Sequence, residues 1–295
     1  MNRLNRPMGP GGLAALLGLA MLTGSVQAQE PIPLVFSVTS DDHPSEVRKR
    51  YREFHRIIEE QLNNRLSDQQ VAVQLAIAPN YEVAIQQMVS GEAQFGRLTP
   101  VAYVIVQQQN PEVALLAAEV YRDEDGDDHS HGVLMVHNDS PVQSLTDLKG
   151  KSIAFVSPHA TAGRYHAQEL LQETAQLNAT DFSKFDYLGR NDKVLEAVGN
   201  GEFDAGASTL QAFEDEVEHG LPVRLLAEYV VPYTPWVAST TLSPALRDAL
   251  QAVLLEMDDP ALLEAGGVND FVAVEDTEYE VTRQAMEHGG QYDPQ

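Results

Sequence analysis

The amino-acid sequence predicts an α/β protein of two lobes, with mainly parallel sheets and two hinge crossovers. Three observations lead there. Short β-rich runs alternate with amphipathic stretches of helical period along the whole chain, as in strands joined by crossover helices. The 295 residues are about twice a typical domain length. Strand-like runs also recur at two distant breaks, one beside a charged loop at 123–131 and one before Pro232 and Pro235. A chain that leaves one lobe and returns to it passes through two such breaks.

Taken in order, residues 1–28 read as a secretory signal. Arg3 and Arg6 supply the positive start, 13–22 the apolar centre, and Val26-Gln27-Ala28 the small-residue cleavage site. The apolar run is too short for a membrane span of ~20 residues, so the mature chain is expected to begin near Gln29 and to be soluble. Residues 34–38 read as a buried first strand and 39–44 as a polar loop. A helix follows over 45–66, capped by Ser45, with Val47, Tyr51, Phe54, Ile58 and Leu62 on one face. Residues 71–77 alternate as a second strand, and 81–90 form a helix stopped by Gly91. A short strand at 93–95 leads into Gly96-Arg97-Leu98-Thr99-Pro100, then a helix at 101–108 and a strand at 113–121.

A strand at 133–137 is expected to carry the chain into the second lobe. There the pattern predicts a helical turn at 144–148, a strand at 152–156, a glycine-containing loop at 157–163 and a helix at 164–176. A strand at 185–188, a helix at 192–200, a strand at 203–207 and a return strand at 225–231 complete the lobe. Residues 244–257 give a late helix. The predicted division is 29–132 with 233–295 for the first lobe, and 133–232 for the second.

Composition narrows the partners. Without residues 1–28 the chain carries 17 basic against 44 acidic residues, a net of −27, a poor match for nucleic acid or anionic membrane. The chain has no cysteine, which removes disulfides, thiol nucleophiles, thiolate metal sites and the attachment point of a lipid anchor. An exported chain without an anchor is retained only in a closed compartment, so a periplasmic location is expected.

Four segments then carry a resemblance. They are Asn80-Tyr81 with Val89-Ser90-Gly91-Glu92; Asp139-Ser140 with residues 144–151; Thr161-Ala162-Gly163; and Gly199-Asn200-Gly201-Glu202-Phe203-Asp204-Ala205-Gly206. In this order and spacing the sequence resembles the phosphate/phosphite/phosphonate-binding proteins of ABC transporters, the PhnD-like branch of type II periplasmic binding proteins. The resemblance implies a protein that holds a small anion between its lobes and performs no reaction. Permease subunits of a transporter are the implied partners, or else a periplasmic sensor kinase. A carboxylate or zwitterion remains an alternative ligand, and a monomer is expected.

The same resemblance implies ligand contacts at Tyr81, Thr161 and Asp204, with two departures. Ala160-Thr161-Ala162-Gly163 stands where the family typically has Ser-Thr-Ser-Gly, and Asn191 stands where it usually has histidine. Read from the residues themselves, Thr161, Ala162 and Gly163 open a helix whose free amides and partial positive charge suit an anion, or they are an ordinary helix start. Arg97, the lone cation between Arg65 and Arg122, lies in a strand-to-helix loop with Thr99. It either grips the anion from the first lobe, reaching toward Thr161, or pairs with an acid at the surface. Tyr103 offers a hydroxyl or packs. Trp236 lines the cleft or packs the hinge. The acidic loop with His129 and His131 fits no known metal cage, and neither resident metal nor cofactor is expected. No nucleophile, phosphate-loop or dinucleotide motif is present.

Overall fold

The computed structural model describes residues 30–39, 41, 43–66, 69–121, 130–266 and 268–292. The predicted signal segment and residues 123–129 of the acidic loop lie outside them. Beginning at β1 (Ile32–Val38), the chain runs through α1 (Pro44–Arg65), β2 (Val71–Ile77), α2 (Tyr81–Ser90), β3 (Phe95–Arg97), α3 (Pro100–Gln109) and β4 (Ala114–Val120). It then enters the second lobe with β5 (Ser130–His137) and β6 (Ser152–Phe155). A π-helical turn at Thr161–His166 leads into α4 (Ala167–Ala175), followed by β7 (Lys184–Tyr187), α5 (Asn191–Gly199), β8 (Ala205–Thr209), α6 (Leu210–Glu218) and β9 (Val223–Val231). The return brings β10 (Thr234–Ala238), α7 (Pro244–Leu255), α8 (Pro260–Gly266), β11 (Asp270–Val272) and α9 (Glu280–Gly289).

These strands form two sheets, ordered β11-β4-β10-β3-β1-β2 and β7-β6-β8-β5-β9. Each is parallel through its strand-helix-strand part, where β1 pairs with β2 and β3, and β6 with β7 and β8. The strands that carry the chain between lobes run the other way: β10 is antiparallel to β3 and β4, and β5 to β8 and β9. Both sheets are therefore mixed rather than mainly parallel. A returning strand arrives from the opposite end of the sheet, which fixes its direction.

Local chemistry explains most boundaries. Gly91 ends α2 in the left-handed conformation, φ 74°, which only glycine adopts without cost. Proline opens α1, α3 and α7, where a missing N–H is not needed. The cap of α1 is His43 rather than Ser45; its ring accepts the Ser45 N–H. Pro235 sits inside β10 at the end of its pairing with β3, where its carbonyl accepts the Leu98 N–H at 3.0 Å and the ladder does without the return bond. Trp236 is fully buried and stacks on Phe36 at 4.7 Å, in the first lobe's core with Tyr51, Phe54 and Phe271. That decides its role as packing.

The lobe boundaries move from those the sequence predicts. The second sheet takes in Ser130 at its start, so the first crossover lies between Val120 and Ser130. The C-terminal chain does not stay with the first lobe. α9 packs on α3, on the Thr161–His166 turn and on α4. Beyond it Tyr292 is buried in the second lobe's core, 5.6 Å from Phe155 and 5.4 Å from Phe185 by ring centroid. The Tyr187 hydroxyl donates to the Tyr292 carbonyl at 3.1 Å. The chain thus passes between the lobes a third time.

Candidate ligand-binding cleft

The cleft is built from strand ends. Asp41 follows β1, Thr99 follows β3, Thr161 follows β6, Asn191 follows β7 and Thr209 closes β8, so all lie at carboxyl ends, where open α/β sheets bind ligands. Together with Arg50, Tyr81, Tyr121, Ala162, Gly163, Glu214 and Asp215 they line a cavity of about 370 Å³, to which Ser130, His131, Pro232 and Thr234 beside the crossovers also contribute. Thr99 and Thr209 each accept an amide hydrogen at 3.3 Å, from Ala102 and Ala212, and so cap α3 and α6.

The wall from the second lobe is the Thr161–His166 turn, which runs on without a break into α4. The first amides of such a helix have no partner within it and face the ligand side with partial positive charge. π-turns of this kind collect at functional sites because they re-aim a helix end. Two features fix the turn. The Tyr229 hydroxyl donates to the Ala162 carbonyl at 2.7 Å, and a Cβ on Gly163 would stand 2.3 Å from Val156 Cγ2. Gly163 is therefore required by packing against Val156, the residue that follows β6.

Three contacts join the lobes around the cavity. Thr161 Oγ1 accepts the Val101 N–H at 3.2 Å, which leaves its own hydroxyl proton to donate. The Asn191 N–H donates to the Asp41 carbonyl at 3.1 Å. His159 Nδ1 stands 3.3 Å from Glu82 at the rim.

Arg97 does not reach across the cleft. It is buried, 8 % exposed, and its Nε lies 2.9 Å from both oxygens of Glu119, itself 1 % exposed. Its Nη2 donates to Glu119 at 2.9 Å and to the Tyr121 hydroxyl at 3.1 Å. The same carboxylate accepts from Tyr121 and from Trp236 Nε1. Burial opposes the guanidinium's charge, yet Glu119 outweighs it and holds Arg97 protonated well above its ordinary value. Burial also pushes the Tyr51 and Tyr121 phenols far up, so both remain neutral. Arg97 thus enters the cavity wall with its charge already balanced. Arg50 of α1 is the other arginine that lines the cavity, which also holds the acids Asp41, Glu214 and Asp215.

Of the residues predicted from sequence, Tyr81, Arg97, Thr99, Thr161, Ala162, Gly163 and Asn191 meet in this cavity. Tyr81 donates to Asp41 at 2.7 Å, and Asn191 accepts from Ser208 at 2.9 Å. Tyr103, Asp204 and Ala160 stand elsewhere. Tyr103 donates to Asp276 at 2.7 Å and packs on Tyr279. Asp204 lies at the opposite, amino end of β8 and accepts from the Ser152 amide and hydroxyl at 2.8 Å each. Ala160 is buried behind the turn and gives its carbonyl to the Tyr165 N–H. His131, from the predicted acidic loop, pairs with Glu228 of β9. Sequence reading missed Asp41, Arg50, Tyr121, Thr209, Glu214 and Asp215. The basic run Arg48-Lys49-Arg50-Tyr51-Arg52 in so acidic a chain was the available signal for Arg50.

Two α/β lobes closed on a polar cleft at their strand ends, with an open helix start facing it, define a solute-binding protein of the type II periplasmic class. The chain belongs to the family whose model is described as "ABC transporter, phosphonate, periplasmic substrate-binding protein", which matches residues 36–279. It is 25% identical over 186 residues to the phosphate-import protein PhnD of Mycolicibacterium smegmatis; the match covers 60% of this chain and 54%, about half, of that relative. Its fold is similar to PhnD1 of Prochlorococcus marinus, solved with methylphosphonate: TM-score 0.76, 21% identity, 88% of this chain and 98% of that one. It is also similar to a binding-protein component of an ABC phosphonate transporter from Pseudomonas aeruginosa: TM-score 0.75, 16% identity, 87% and 86% covered.

Proposed function

We propose that the mature protein is an unanchored periplasmic monomer, exported by a cleavable signal at residues 1–28, that captures a small phosphorus oxyanion and delivers it to ABC permease subunits. The observation that carries this reading is the Thr161-Ala162-Gly163 helix start facing Tyr81, Arg97 and Arg50 across the cavity. The amides and the Thr161 hydroxyl would hold the anionic oxygens, as helix starts do for phosphate groups. Ala162 offers no hydroxyl to the cavity, so backbone amides carry more of the grip. We read the cleft as a binding site and not a catalytic one, in keeping with the description of the family as substrate-binding.

Calorimetry with methylphosphonate, phosphite, phosphate, an alkylsulfonate and acetate tests this. At least one phosphorus oxyanion binds one-to-one and, at 100 times its dissociation constant, stabilises the fold by ~2.7 kcal/mol. Binding of acetate or sulfonate with no response to any phosphorus oxyanion refutes it.

A further inference from the structure

We propose that Glu169, Glu173 and His288 form a divalent transition-metal site, best suited to zinc, that fastens the C-terminal helix to the second lobe. The proposal stands apart from the ligand reading and departs from the sequence expectation of no resident metal. Glu169 and Glu173 lie one turn apart on α4, and His288 comes from the last turn of α9, packed against it. One donor atom from each lies within 4.8 Å of the others, and His288 Nδ1 is 3.9 Å from Glu169 Oε1. Donors on a tetrahedral zinc at 2.0–2.2 Å stand about 3.3–3.6 Å apart, so a small rotation of the half-buried and exposed side chains closes the cage. Two carboxylates at this spacing repel one another, and a cation between them turns that repulsion into attraction. One imidazole with two carboxylates is a zinc-type donor set, with the fourth position open to water.

The cluster also has its supporting layer. His166 is 6 % exposed, its Nδ1 lies 3.4 Å from the other oxygen of Glu169, and its Nε2 lies 3.3 Å from Thr282 of α9. Metal-binding carboxylates are oriented by outer groups of this kind. Next to His288, the Gly289 carbonyl accepts from Arg164 at 3.3 Å, and Arg164 belongs to the turn that opens with Thr161. A metal here would thus hold the third passage of the chain against the same helix that carries the proposed anion site.

The test uses the full mature chain, tag removed and stripped with chelator, titrated with zinc chloride at pH 7.5. One zinc ion binds and raises the melting temperature. Glu173→Gln and His288→Ala, both at accessible positions, each weaken zinc binding at least tenfold while the metal-free melting temperature stays unchanged. Calcium and magnesium do not compete, since the imidazole favours transition metals. The proposal fails if no zinc binds or if both variants bind it as the parent does. It fails equally if binding is lost instead on replacing His129 and His131 by alanine.

Discussion

Replacing Glu119 by glutamine separates the two roles of the buried Arg97 network. The carboxylate accepts from Arg97, Tyr121 and Trp236 within a space that is almost closed to water. Glutamine keeps the shape and one acceptor, enough for Trp236, but turns an N–H₂ toward donors and leaves the guanidinium without its counter-charge. Breaking a buried pair from one side costs about 3–5 kcal/mol. For a chain of this size that is a fall in melting temperature of roughly 6–20 °C. Ligand affinity should move the other way. With Glu119 neutral, Arg97 offers an unbalanced charge to the cavity, and one charge-assisted hydrogen bond of about 1.5–3 kcal/mol tightens an oxyanion about ten- to a hundredfold. Urea unfolding followed by circular dichroism and by fluorescence of Trp236, the single tryptophan, measures the first effect, and calorimetry with methylphosphonate the second. An unchanged unfolding midpoint refutes the buried-charge account. Reduced stability without tighter binding shows that Arg97 serves the fold and not the ligand.

Thr161→Val removes the hydroxyl that accepts from Val101 across the cleft and should weaken oxyanion binding by about 0.5–1.5 kcal/mol in calorimetry; unaltered affinity removes Thr161 from the site. Gly163→Ala drives a methyl into Val156 and should cost about 1–3 kcal/mol of stability in urea, with no cost if the turn shifts freely. Tyr292→Ala should cost about 3–5 kcal/mol despite its place near the C-terminus, because the ring fills the second lobe's core; a surface-like effect below 0.5 kcal/mol contradicts this. Asp276 is held below the usual carboxylate range: its partial burial works against the charge, but hydrogen bonds from Tyr103 and Arg283 outweigh that. The unfolded chain therefore takes up this proton first as pH falls, and stability is lost from about pH 4 downward. Asp276→Asn should flatten that part of the curve in urea midpoints taken between about pH 5 and 2.5, and an unchanged slope overturns the assignment.

The fold was legible where one period dominated. The helix face of Val47, Tyr51, Phe54, Ile58 and Leu62 is buried as its spacing implies, and the strand at 71–77 and the helix at 81–90 fall on their predicted bounds. After residue 208 the strand at 225–231 and the helix at 244–257 were legible as β9 and α7, but α6 and β10 were not. α6 carries Glu214, Asp215 and Glu216 beside a single buried Phe213, too weak a stripe to declare itself, and Pro235 disguised β10 as a loop. The cleft was half legible for a related reason. A helix start announces itself by its residue types, so Thr161 to Gly163 stood out, whereas Arg50 sits within a helix whose pattern speaks only of packing. Arg97 was found, but its partner was not, because Glu119 is twenty-two positions away in sequence and is joined to it only through β10. Asp204 and Tyr103 carry polar groups into contacts internal to one lobe, and no local pattern tells such a contact from a ligand contact.

The burial of Tyr292 in the second lobe sets an order of events for synthesis. Residues 130–231 contain every strand of that sheet, yet the aromatic cluster of Phe155, Phe182 and Phe185 closes only on a ring that leaves the ribosome about sixty residues later. Until then the lobe lacks a central piece of its core, and a nascent chain with an incomplete core stays loose. Such a delay sets the decisive folding step of the second lobe after Tyr292 has emerged.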